Sequence, residues 1–375
     1  MSGSEKFLMI TSEFPPGPGG IGNHAYNLAK YLEINGKEIK VLTVSDYTDK
    51  KEADVFDSKQ NFDVIRFERY DSRVKTYIER IKLIKKNLIE ESFTHIIFSG
   101  RFALFCSAML SKVRYNAKYI SIVHGGDINT NDIFQKGLIN NALKKSDLVV
   151  SVSNFSKTFI TADISPEKVT VIPNGFDLED PEGVSMHEKI SSNAKLDLVT
   201  VGTVWPRKGH HNVYKALPKL LNEFPDLKYN IIGRHADLSL VKNYFEDGSY
   251  KNIVNILGQV SDNVKTDTLS KSDIFILLSE TQTSGDFEGF GIAVIEANYF
   301  GLPAIGSKNS GLEDSINNGV SGILVDPKDP DEILKAVKTI SENYNTFSKN
   351  AREWALEHHW SKIVKRYTEA ISRIE

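Results

Sequence analysis

A chain of 375 residues is long enough for two domains of ordinary size, and 40% hydrophobic with 25% charged residues is the balance of a globular protein that buries sizeable cores. Its formal net charge of -3 gives no bulk attraction to nucleic acid, which argues against that class of partner. The single cysteine, Cys106, excludes an internal disulfide and a cysteine-based metal cluster, and no stretch approaches about 18 uninterrupted apolar residues.

The first apolar run, 7–11, is too short for a signal peptide, so the expectation is a cytoplasmic protein that does not span a membrane. A loop of prolines and glycines follows it, and then Ala25, Leu28, Ala29 and Leu32 at helical spacing: strand, loop, helix. Gly19, Gly20 and Gly22 lack the spacing of a dinucleotide fingerprint, and no acid ends the next strand, 39–44. Strand-like runs at 64–67, 96–98, 119–123, 148–152 and 169–172 alternate with helical patterns at 73–91 and 103–110, which predicts a parallel, doubly wound α/β sheet. The helix at 73–91 sets Val74, Ile78, Ile81 and Leu88 on one face and Lys75, Arg80, Lys82, Lys85 and Lys86 on the others. A basic amphipathic helix can lie on an anionic membrane, which makes it a candidate for peripheral contact. The same stripe is what a sheet-covering helix needs, and that reading is preferred. His124 and Asp127, flanking two glycines, follow strand 119–123 and so stand at the C-terminal edge of a parallel sheet, where such folds bind ligands.

Between 178 and 196 the chain turns polar, without apolar periodicity, and is the best linker. The expected domains are 1–190, joined by a terminal helix at about 357–375, and 195–356. The second begins with a strand at 198–201, then Gly202 and Thr203, then Arg207 and Lys208 just ahead of a helix at 211–224. Cations at that end of a helix are disfavoured unless an anion is bound. The apolar run 274–278 leads into a loop holding Gly285, Gly289 and Gly291 and a short helix through Ile292, Val294, Ile295 and Ala297, stopped by Gly301 and Pro303. Backbone N–H groups converging in such a loop, with the helix N-terminus behind them, can hold a phosphate. Glu288 and Glu296 would lie about 12 Å apart along one continuous helix, wider than the roughly 5–9.5 Å of most glycosidase pairs. With the helix starting near Gly291, one acid sits in the loop and the other on the helix, so they need not share a role.

Glu288, Phe290, Gly291 and Glu296 resemble the E-x(7)-E motif of retaining nucleotide-sugar glycosyltransferases of the GT-B fold, in particular glycosyltransferase family four. The similarity covers almost the whole chain and is strongest from 198 to 326. It implies an α/β architecture of two Rossmann-like domains facing each other across a cleft, the first on the acceptor side and the second binding the nucleotide sugar. It also implies roles: Arg207 and Lys208 neutralise the diphosphate, Glu296 holds the ribose hydroxyls, and Glu288 holds the donor sugar with the backbone of Gly289, Phe290 and Gly291. Gly19 and Gly20 approach the donor phosphates, and His124 contacts the sugar with Asp127 assisting. Many members carry Gly-Arg where this chain has Gly202-Thr203, so a phosphate-binding Arg is missing from its usual place, and Arg207 and Arg234 are the candidates to replace it.

The resemblance further implies a UDP- or GDP-linked sugar as donor, a glycan or lipid-linked acceptor, and no resident metal or cofactor. The setting it suggests is polysaccharide or glycoconjugate synthesis in the cytoplasm, with the inner face of the membrane as a candidate site. Two rivals differ in chemistry: a GT-B epimerase or phosphorylase, and a catalytically silent nucleotide- or sugar-binding protein on the same scaffold, which the loss of Arg at 203 would suit.

Overall fold

The computed structural model describes residues 5–17, 19–45, 49–110, 115–178, 195–234 and 250–374. The chain divides into two compact units, Met1–Gly175 with Trp360–Glu375, and Phe176–His359. The polar stretch expected to link them lies, at 179–194, outside the described residues.

In the first unit, strands β1 (Lys6–Thr11), β2 (Glu38–Val44), β3 (Asp63–Phe67), β4 (His95–Ser99), β5 (Lys118–Val123), β6 (Leu148–Ser151) and β7 (Val169–Val171) form one sheet in the order β3-β2-β1-β4-β5-β6-β7. Every pairing is parallel, with Thr11 opposite both Thr43 and Ser99. Each strand therefore needs a crossover, and helices α1 (Gly20–Ile34), α2 (Lys50–Asp57), α3 (Arg73–Glu90), α4 (Arg101–Met109), α5 (Ile133–Lys145) and α6 (Asn154–Lys157) supply them. The strand order reverses between β1 and β4, the switch point beside which parallel sheets bind ligands. Ala25, Leu28, Ala29 and Leu32 are fully buried, so α1 faces the core through the stripe its sequence shows, each Leu contributing about 1.5–3 kcal/mol.

Helix α3 departs from its expected face. Ile81 and Leu88 are buried as expected, but Val74 and Ile78 are 69% and 49% exposed, and Thr76, Arg80, Ile84 and Asn87 take the inner positions. On that inner face, beside the buried Ile81, Ile84 and Leu88, the Arg80 guanidinium lies over the rings of Phe67 and Phe102, 5.9 and 5.3 Å from their centres, a cation–π contact that accompanies its burial.

The second unit repeats the plan. Strands β8 (Lys195–Val201), β9 (Asp226–Ile232), β10 (Val254–Gly258), β11 (Ile274–Leu277), β12 (Ala304–Ser307) and β13 (Gly322–Val325) form a parallel sheet in the order β10-β9-β8-β11-β12-β13, switching between β8 and β11. Its helices are α7 (His210–Glu223), α8 (Asp262–Lys271), α9 (Ile292–Tyr299), α10 (Leu312–Ser315), α11 (Pro330–Glu342) and α12 (Tyr344–Leu356). Val213, Ala216, Leu217 and Leu220 bury the inner face of α7, and Val294, Ile295, Ala297, Asn298 and Tyr299 bury most of α9. The last helix, α13 (Trp360–Ser372), belongs to the first unit, where Trp360, Ile363, Val364 and Tyr367 are buried. Among the described residues no helix is long and apolar enough to cross a membrane.

Candidate functional site

In the second unit the candidate residues gather at the C-terminal edge of the sheet. Beyond β8 the chain makes a short 3-10 turn, Pro206–Lys208, and enters α7 through Gly209. Only glycine fits there: its φ is +68°, and a Cβ would lie 1.7 Å from the Leu278 carbonyl oxygen at the end of β11. The Glu280 N–H donates to the Arg207 carbonyl at 2.8 Å, so the turn is stitched to the strand beside it.

That turn presents its two cations to Glu288. The Arg207 Nη1 and Lys208 Nζ donate to the same carboxylate oxygen at 2.8 and 2.6 Å, while the Arg207 Nε faces Asp286 at 3.0 Å. Glu288 is 9% exposed. Burial opposes its ionisation, yet the Lys208 and Arg207 charges outweigh that and hold its carboxyl down at about 2. The anion that the two cations require is thus supplied here by a side chain. Gly289 and Gly291 bring the following backbone close to α10. The Gly311 N–H donates to the Glu288 carbonyl at 2.9 Å, and a Cβ on Gly311 would meet the Gly289 oxygen at 2.2 Å. Phe290 is buried, and Gly291, at φ +88°, opens α9.

Glu296 lies on α9 and has its own cation: Lys265 of α8 stands 3.5 Å from its carboxylate. Nothing in the sequence pattern singles out Lys265, and its pKa is raised, chiefly by Glu296. Thr203 and Arg234 come together, since Val204 donates to the Arg234 carbonyl at 2.8 Å and Gly202 to that of Ile232 at 2.8 Å. Arg207 is engaged by two acids, whereas Arg234 is exposed beside Thr203. Glu280, also unmarked in the sequence, accepts from His211 at 2.9 Å, Asn212 at 2.6 Å and Lys328 at 2.9 Å.

In the first unit His124 leaves β5 into a turn closed by Asp127, whose Oδ1 accepts from the His124 and Gly125 N–H groups at 2.9 and 2.8 Å. Arg101, at the start of α4, fastens this turn from outside: its guanidinium donates to the carbonyls of Gly126, Asp127 and Asn129. The Asp127 Oδ2 is buried without a hydrogen-bond partner, and burial pushes its carboxyl up to about 6. The His124 Nε2 bonds the Ser99 hydroxyl at 2.9 Å, and burial lowers its imidazole to about 3, so it is neutral at physiological pH. Gly19, at φ +141°, lies against the Glu13 carboxylate, 2.0 Å from where its Cβ would be, and burial raises the Glu13 pKa. Gly20 opens α1 with open space where a side chain would go. Sequence spacing marks none of Glu13, Ser99 or Arg101, because each is brought in by the sheet edge rather than by a local pattern. Among the described residues no group of three or more His, Cys, Asp or Glu is placed to hold a metal ion.

Residues 185–354 match Glycosyl transferases group 1, and residues 18–180 match Glycosyltransferase Family 4. A GDP-mannose-dependent alpha-(1-6)-phosphatidylinositol monomannoside mannosyltransferase of Mycolicibacterium smegmatis is 24% identical over 384 residues, covering 97% of this chain and 98% of its own. Anabaena HepE, solved in complex with UDP and glucose, shares the fold with a TM-score of 0.76 at 20% identity, over 98% of this chain and 100% of its own. A sucrose-phosphate synthase from Thermosynechococcus elongatus does so with a TM-score of 0.78 at 16% identity, over 99% of both chains.

Proposed function

This chain is a hexosyltransferase of the GT-B glycosyltransferases, one half belonging to Glycosyltransferase Family 4 and the other to Glycosyl transferases group 1, and from that premise we propose that it transfers a sugar, with retention, from a GDP- or UDP-linked donor to a hydroxyl acceptor. The observation that carries this reading is the Arg207–Lys208–Glu288 cluster, a desolvated pair of cations set before the glycine loop and the N-terminus of α9. A diphosphate leaving group gains negative charge as the anomeric bond breaks, and fixed cations and amides facing it stabilise that transition state. Arg207 and Lys208 take the diphosphate, Arg234 supplies the charge absent at Thr203, and Glu296, oriented by Lys265, binds the ribose hydroxyls. Glu288, released by the phosphate, holds the donor sugar with the Gly289, Phe290 and Gly291 backbone. In the first unit His124, steadied by the Asp127 turn, is the residue that contacts a sugar hydroxyl.

Retention follows from a front-face displacement. The bond from the anomeric carbon to the phosphate oxygen breaks, the acceptor oxygen bonds on the same face, and the acceptor proton passes to the departing phosphate. The residues in place supply the charge this needs, so no metal or cofactor enters the scheme. GDP-mannose is the first donor to test, and a glycan or lipid-linked acceptor fits the activity named for the mycobacterial relative. The exposed Val74, Tyr77 and Ile78, with Lys75, Lys82, Lys85 and Lys86 beside them on α3, would let the enzyme rest on the anionic inner face of a membrane while remaining cytoplasmic.

Thermal melts with GDP-mannose, UDP-glucose and ADP-glucose in the presence of EDTA test the donor. A ligand at a hundred times its Kd adds about 2.7 kcal/mol. One nucleotide class should raise the Tm, and Lys208→Ala and Glu296→Gln should each remove the rise. No rise with any donor, or release of sugar phosphate when inorganic phosphate is added, would refute the reading. The anomeric configuration of the product, read by NMR, tests retention, and vesicle sedimentation with and without anionic lipid tests the α3 contact.

A further inference from the structure

We propose that Tyr367 on α13 and His24 on α1 are positioning residues that fix the imidazole of His124, so that the last helix of the chain shapes the ligand edge of the first unit. The proposal rests on the sugar-contacting role given above to His124. His24 is 1% exposed, and its Nε2 bonds the Tyr367 hydroxyl at 2.8 Å. Its ring stands edge-on to that of His124, with centroids 4.9 Å apart and planes at 80°, and edge-on to Trp360 at 5.2 Å. Trp360 and Tyr367 are themselves stacked, 6.4 Å apart. The His24 Nδ1 is buried with no hydrogen-bond partner.

A phenylalanine could fill this space without leaving a polar atom unpaired, so packing does not account for a histidine here. The bond to Tyr367 does. An aromatic ring held only by apolar neighbours can rock about its Cβ–Cγ bond, whereas one tied through a ring nitrogen keeps its plane. The His24 ring is the wall against which His124 stands, and the Ser99 hydroxyl holds His124 from its Nε2. Two restraints on that ring leave Nδ1 as the nitrogen that addresses a sugar hydroxyl. Burial also disfavours the charged form of both imidazoles, so neither repels the other by titrating.

The test uses the full chain with Tyr367→Phe, His24→Phe, His24→Gln and, for reference, His124→Ala. With GDP-mannose or UDP-glucose, whichever the wild type turns over, Tyr367→Phe should lower kcat by about tenfold, as expected for a misaligned group. The donor KM and the thermal shift given by GDP or UDP should stay at wild-type values. His24→Phe should lose as much, His24→Gln should recover part because its amide can still meet the Tyr367 hydroxyl, and the Tyr367→Phe, His24→Phe double variant should lose no more than either single one. Independently of turnover, the 15N ring signals of His124 should move or broaden in Tyr367→Phe.

An unchanged kcat in Tyr367→Phe, additive losses, or unmoved His124 ring signals would overturn the proposal. If His124→Ala itself keeps full activity, the role given to His124 fails and the proposal falls with it. If His124→Ala is inactive while Tyr367→Phe is not impaired, only the positioning claim fails.

Discussion

Glu288→Gln should destabilise the free protein and at the same time increase the stabilisation that a nucleoside diphosphate gives it. The folded carboxyl sits at about 2 against an ordinary value of 4.5. At about 1.4 kcal/mol per unit, that difference is worth about 3 kcal/mol at neutral pH. Gln keeps the shape and removes the charge, leaving Lys208, 13% exposed, without its counter-ion and Arg207, 21% exposed, with Asp286 alone. Removing one partner of a buried pair costs about 3–5 kcal/mol, in agreement. For a unit of about 180 residues each kcal/mol moves the Tm by about 2–4 °C, so the variant should melt about 6–12 °C lower. In the wild type a diphosphate must displace Glu288 from both cations, whereas in the variant that competitor is gone and only Asp286 remains on Arg207. Scanning fluorimetry with and without saturating GDP or UDP should therefore give a larger nucleotide shift for Glu288→Gln than for the wild type, although sugar transfer is lost. An unchanged Tm, or a smaller nucleotide shift than the wild type's, would refute the idea that Glu288 stands in for the phosphate.

Asp127 and Glu288 should leave opposite marks on stability against pH. The folded pKa of Asp127, about 6, is raised above its ordinary 3.8, so its contribution is complete below 3.8 and lost as pH rises through 6, a penalty of about 3 kcal/mol at pH 7. That of Glu288 is lowered, so its contribution is present above 4.5 and disappears as pH falls toward 2. Asp127→Asn keeps an acceptor for the His124 and Gly125 N–H groups, and urea melts should show it at least as stable as the wild type at pH 7, with a flatter slope between pH 4 and 6. A curve parallel to the wild type's would count against this. Gly209→Ala should cost more than the roughly 1–2 kcal/mol of a left-handed alanine, because its Cβ would meet the Leu278 carbonyl at 1.7 Å, and it should abolish the nucleotide shift by moving Arg207 and Lys208. Gly319→Ala, at φ +79° with nothing within 4 Å, is the control in the same unit, and equal losses at the two sites would remove the steric argument. Lys265→Met should raise the donor KM severalfold with kcat held, and a fall in kcat alone would show that Glu296 does not need its cation for binding.

What the sequence discloses and what it hides divide along one physical line. The parallel sheets, the α1 stripe and the loop entering α9 are written in local periods and in glycines whose backbone demands are felt within a few residues. The Arg207 and Lys208 pair is legible as a place wanting an anion, because a helix N-terminus repels cations whatever surrounds it. That the anion is Glu288, 80 residues on, is not. Only the pairing of β8 with β11 brings the two loops together.

The face of α3 shows the same limit from the other side. Its period is local, whereas the face it turns inward, through Arg80 and Ile84 rather than Val74 and Ile78, depends on packing against other elements, Phe67 and Phe102 among them. His24 is the extreme case: its partner is 343 positions away, and no spacing rule connects them. A buried polar side chain in an apolar stripe is the one trace such a contact leaves in sequence. Where the stripe of α1 admits a histidine, and that of α13 a tyrosine, the desolvation of each would be unfavourable without a partner. Two such misfits on helices of one unit, each wanting the hydrogen bond the other can give, point to each other across the whole length of the chain.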